Sequence, residues 1–70
     1  MQQSIKDALT GQSITGEYGD GRVVAGEISG RLQPFAHVWL KDDHGYDLGM
    51  FEVSWETIAR CKANGRPIRL

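Results

Sequence analysis

The stretch Ser13-Ile14-Thr15-Gly16-Glu17-Tyr18-Gly19-Asp20-Gly21-Arg22-Val23-Val24-Ala25-Gly26-Glu27-Ile28-Ser29 decides the fold. Ile14, Gly16 and Tyr18 alternate with Ser13, Thr15 and Glu17, the period of two that belongs to a strand. Gly19-Asp20-Gly21 then supplies the positive-φ residues that a tight hairpin needs. Alternation resumes from Arg22 to Ser29, with Val24, Gly26 and Ile28 on one face and Val23, Ala25 and Glu27 on the other. A glycine in mid-strand, here Gly26, costs stability unless the strand bends sharply or another part of the chain comes close. Both happen in small, strongly curved barrels.

Toward the C-terminus, Gly30-Arg31-Leu32-Gln33-Pro34 reads as a loop, and Phe35-Ala36-His37-Val38-Trp39-Leu40-Lys41 as a third strand. Its faces are Ala36/Val38/Leu40 and Phe35/His37/Trp39, both largely apolar, so the strand is expected to be covered on both sides. Asp42-Asp43-His44-Gly45 is a turn by composition, and Tyr46 to Val53 is a fourth strand containing Gly49. Ser54 is placed to cap a short helical segment through Trp55, Ile58 and Cys61, closed by Asn64-Gly65. Arg66 to Leu70 is extended, and Pro67 confines it to an edge or a strand end. Toward the N-terminus, Ser4 with Asp7 three residues later, and Ile5, Ala8 and Leu9 before Gly11, predict a capped helix at about residues 4–10. The predicted fold is mainly β: a small, strongly bent, five-stranded antiparallel barrel of the SH3-like kind with a short N-terminal helix, one domain over residues 1–70.

A chain of 70 residues buries only roughly 60% of its unfolded surface and needs help to stay folded. The single cysteine, Cys61, forms no internal disulfide, and no Cys/His spacing suggests a zinc clip. Self-association is the remaining helper. A lone thiol, with no signal-like or membrane-length apolar run, leads us to expect a cytoplasmic protein without a membrane partner. Eight Lys or Arg against nine Asp or Glu leave a net charge of −1, which excludes coating of nucleic acid by bulk charge. The distribution is uneven, because Arg60, Lys62, Arg66 and Arg69 lie in the last eleven residues without an acid. A solvated C-terminal face is the plain reading of that run.

No catalytic set emerges, so the expectation is a protein that is not an enzyme. His37, His44, Asp42, Asp43 and Asp47 are too scattered over a strand and a turn to fix a ligand geometry. Gly19-Asp20-Gly21 lacks the lysine and the following helix of a phosphate loop. No serine sits in a nucleophile elbow, and Cys61, although flanked by Arg60 and Lys62, reads as a buried thiol. No cofactor or metal is expected.

Gly21-Arg22-Val23-Val24-Ala25-Gly26-Glu27-Ile28 followed by Gln33-Pro34-Phe35-Ala36-His37-Val38-Trp39-Leu40 resembles the first motif of the Sm/LSm-like proteins, Gly-x4-Gly-x-apolar, a loop, then Asp-x-aromatic-Met-Asn-x-x-Leu. The glycine spacing and the closing leucine match. Gln33 stands at the family's Asp, Ala36-His37 at its Met-Asn, the loop is one residue longer, and Phe51 to Trp55 does not match the second motif. The resemblance implies an Sm-like barrel in a ring of subunits that holds single-stranded RNA. Phe35 would stack on a base, Gln33 and His37 would hydrogen-bond its edge, and Arg31 belongs to the same segment.

Trp39, Trp55, Phe35 and Phe51 amount to more aromatic surface than one small core needs. Phe35, Trp39 and Trp55 are therefore interface candidates, the competing reading being that the N-terminal helix covers the Phe35/His37/Trp39 face. Two functions follow. One is a homo-oligomeric binding module, with RNA as its ligand if the resemblance holds. The other is a protein-binding adaptor or inhibitor, of the sort encoded by mobile elements, that uses the aromatic strand face.

Overall fold

Local chemistry sets each element of the chain, whose computed structural model describes residues 3–70. The elements in order are α1 (Gln3–Leu9), β1 (Ser13–Glu17), β2 (Val23–Ser29), β3 (Ala36–Lys41), β4 (Asp47–Val53), α2 (Trp55–Asn64) and β5 (Ile68–Arg69). The strands form one sheet in the order β4-β3-β2-β1-β5, curled into a half-barrel.

Two hairpins of the same design join β1 to β2 and β3 to β4. In the first, Tyr18 N donates to Arg22 O and Gly21 N to Tyr18 O, both at 2.8 Å; in the second, Asp42 N donates to Tyr46 O and Gly45 N to Asp42 O, both at 3.0 Å. Gly21 and Gly45 take φ of 89° and 86°, the left-handed conformation that ends a three-residue hairpin loop and that side chains resist. Asp42 Oδ1 also accepts from the amides of His44 and Tyr46, so this carboxylate holds the turn.

The sheet is mixed, which corrects the all-antiparallel expectation. β1–β2, β2–β3 and β3–β4 pair antiparallel, but β5 joins β1 in parallel through Gly16 opposite Ile68 and Glu17 opposite Arg69. The cause is α2, which carries the chain back across the molecule so that β5 enters in the direction of β1. Its ends are as the sequence indicated. Ser54 Oγ accepts from Thr57 N at 3.2 Å, and Gly65, at φ 64°, closes the last turn with Arg66 N donating to Cys61 O. At the other helix the expected cap is displaced, because α1 already includes Gln3 and Ser4.

The core comprises Leu9, Ile14, Val24, Ile28, Ala36, Val38, Leu40, Trp55, Ile58 and Ile68. One strand face supplies most of it, and α2 adds Trp55 and Ile58. A Cβ on Gly26 would lie 2.7 Å from Leu40 Cδ2 and 3.1 Å from both Trp39 O and Val38 Cγ1. Gly26 is there because Leu40 lies across it. Between Leu40 and Lys41 the register slips, Leu40 facing Gly49 and Lys41 facing Asp47. This bulge puts Leu48 and Phe51, three residues apart, against the same core.

Candidate interaction surface

The strand face opposite the core is the candidate site. Cross-strand register places its members: Ala25 opposite Lys41, Glu27 opposite Trp39 and Ser29 opposite His37 between β2 and β3, then Trp39 opposite Met50 and His37 opposite Glu52 between β3 and β4. Trp39 is at the centre and 50% exposed, with Met50 38% and Val23 50% exposed. A shallow groove of about 320 Å³ runs beside it, lined by Ala25, Gly26, Glu27, Trp39 and Lys41. The Trp39 indole is held in place, Nε1 donating to Ser29 Oγ at 3.0 Å, and Ser29 Oγ in turn donates to His37 O at 3.3 Å. With its one polar atom satisfied, the ring offers only apolar surface to a partner.

Of the two expectations for this face, α1 does not cover Trp39, which keeps half its surface in solvent. α1 instead turns toward the core through Leu9 and is tied to β2 where Gly11 N donates to Ile28 O and Ile28 N to Gln12 O.

The residues named for RNA lie on and after the β2–β3 loop. Phe35 is 50% exposed and Leu32 75% exposed, so the loop presents two apolar side chains to solvent. Arg31 Nη1 is 3.2 Å from Asp7 Oδ1, and His37 Nε2 is 4.0 Å from Glu52 Oε2, so both side chains have a carboxylate beside them. Gln33 has an exposed side chain, while its carbonyl accepts from Lys6 Nζ at 3.2 Å and from Trp55 Nε1 at 3.1 Å. Trp55 lines one small pocket with Phe35 but differs from the other interface candidates in its burial. It is 3% exposed and belongs to the core, with Lys6 Nζ 5.9 Å from its ring centroid.

The C-terminal cations form a second feature. Arg60, Arg66 and Arg69 line a groove of about 390 Å³ with Thr57 and Asn64. Lys62 Nζ donates to Ser13 O at 2.8 Å. Cys61 is half-buried, its Sγ 3.8 Å from Pro67 O. Among the described residues no three His, Cys, Asp or Glu side chains converge on a point, and no helix is long and apolar enough to cross a membrane.

Sequence reading found Trp39 and Phe35 but missed Ala25 and Met50 as neighbours of Trp39, and missed that Phe35 lies apart from that patch, in a small pocket with Pro34 and Trp55. Only strand register brings Ala25 and Met50 to Trp39, and the β4 bulge shifts the phase that alternation alone would assign to Leu48 and Met50. No protein-family model, curated protein or solved structure matches this chain.

Proposed function

We propose that this chain is a non-enzymatic binding module that works as a homo-oligomer, self-associating through the outer face of β2, β3 and β4. The observation that carries the reading is the half-exposed Trp39, pinned by Ser29 and bordered by Met50 and Ala25 at the middle of that face. An exposed aromatic centre with a charged rim is the anatomy of an interface. The alternative route, strand pairing along the free edge of β4, is opposed by the bulge at Leu48/Gly49 and by the Asp47 and Glu52 carboxylates on that strand. Light scattering across a wide concentration range tests the proposal. Trp39→Ser is expected to shift the protein to monomer with an unchanged circular dichroism spectrum. A wild-type chain that is monomeric throughout overturns it.

Single-stranded RNA is the ligand proposed for the module, as the Sm-like reading of the barrel would have it, in a cytoplasmic setting that suits an unpaired Cys61. The support is the solvent-facing Phe35 and Leu32 at the β2–β3 loop. Since Asp7 offsets Arg31, the phosphates are assigned to Arg60, Arg66 and Arg69, which make no ion pair among the described residues. A mobility shift that weakens steeply with salt is expected. Phe35→Ala should lower affinity about tenfold, the order that follows from base stacking at about 1–3 kcal/mol. Absence of any shift at low salt would remove RNA and leave a protein partner on the Trp39 face as the second reading, favoured by the mixed charge around it.

A further inference from the structure

The outer face is complementary to itself, and this fixes how two copies meet. Ala25, Glu27, Trp39 and Lys41 occupy the corners of one quadrilateral, since Ala25 faces Lys41 and Glu27 faces Trp39 on the neighbouring strand. Ala25 and Trp39 end one diagonal; Glu27 and Lys41 end the other. All four are exposed, and among the described residues neither Glu27 nor Lys41 makes an ion pair or a side-chain hydrogen bond. A carboxylate and an ammonium thus flank an apolar diagonal with no partner among the described residues.

Resting on the self-association proposed above, we infer that the second copy packs face to face about a twofold axis running along the Ala25–Trp39 diagonal. That axis stacks Trp39 on Trp39 and Ala25 on Ala25, and sets each Glu27 opposite Lys41 of the second copy. The patch is roughly 4.8 Å wide across strands and roughly 6.8 Å long between alternate residues. The Glu27 and Lys41 positions therefore superpose to within a few ångströms, which long side chains span. Strands of the two copies cross steeply, the orthogonal class of sheet packing, which suits two outward-curved faces that touch only at their centres. The other diagonal is excluded by charge, because it stacks Glu27 on Glu27 and Lys41 on Lys41. An axis along the strands lays Trp39 over Glu27, and an axis across them leaves Glu27 over Ala25, so each leaves the carboxylate without a cation. Beyond Trp39 the chosen axis passes Glu52, which faces its own symmetry mate at the rim, beside His37. Removing that charge should tighten the dimer.

Charge reversal tests the geometry by sedimentation velocity at low salt. Glu27→Lys and Lys41→Glu are each expected to raise the dimer dissociation constant about tenfold or more, the double reversal to restore it, and Glu52→Gln to lower it. All three positions are exposed, so the fold is expected to survive, which circular dichroism checks. Tryptophan fluorescence gives a second reading, because dimerisation buries Trp39 while Trp55 is already buried, so the emission should shift to the blue as concentration rises. A chain monomeric at every concentration, its face left to a different protein, overturns both this inference and the self-association. A chain that associates but ignores the single reversals, or is not restored by the double one, overturns the geometry alone.

Discussion

Two tryptophans of similar sequence appearance have opposite roles, and the difference lies in what surrounds each. Trp55 is enclosed by the core and donates its indole N–H to Gln33 O, fastening the β2–β3 loop to the start of α2. Trp39 uses its N–H on the exposed face and leaves its ring in water. Trp55→Ala should therefore cost about 3–5 kcal/mol, read as a lowered denaturation midpoint in urea. Gly26 is a sharper test. Its backbone is not left-handed, so alanine would gain about 0.5–1 kcal/mol from strand propensity. Against this, the added Cβ meets Leu40 Cδ2 at 2.7 Å and the Trp39 carbonyl at 3.1 Å. Overpacking costs about 1–3 kcal/mol, and backbone cannot give way as a side-chain tip can, so Gly26→Ala is expected to destabilise on balance. A neutral or stabilised variant in urea denaturation would show that Leu40 moves aside freely.

At the scale of elements, α2 was the most legible. Ser54, Asn64 and Gly65 mark its ends by local chemistry that needs no tertiary partner, and each stands where that chemistry put it. Ser54→Ala should cost about 1 kcal/mol, equivalent to a fall in Tm of about 4–8 °C for a chain of this size, with the helix retained. An unchanged melt would mean that the Thr57 amide finds another acceptor. The hairpins were legible for the same reason, since Gly21 and Gly45 are read from the loops alone. β4 was not. Alternation along Leu48, Gly49, Met50 and Phe51 admits either face, and the phase depends on a bulge that answers to β3, not to β4. The direction of β5 was hidden too, because nothing within Ile68-Arg69 says which way α2 delivers it.

For the molecule as a whole, the decisive quantity is how little a chain of 70 residues encloses. Its core is one strand face plus Leu9, Trp55 and Ile58, while the opposite face leaves Val23, Trp39 and Met50 in solvent. Burying that face against a second copy adds the apolar area that a single copy lacks. If association contributes to stability in this way, Tm must rise with protein concentration, whereas a monomer melts at one temperature regardless. Calorimetry across a wide concentration range separates the two. The same measurement on Trp39→Ser should lose the dependence.

From its residues alone the chain specifies strand periods, hairpin loops, helix caps and the two apolar faces of Phe35 to Lys41, because each depends on neighbours within a few positions. Only the folded molecule decides which of those faces is enclosed, that Trp55 is core and Trp39 surface, and that Glu27, Trp39, Ala25 and Lys41 share one patch. The physical reason is register. Residues 12 or 16 positions apart become neighbours through hydrogen bonds between strands, and a single inserted residue, as at Leu48, moves every side chain beyond it to the other face.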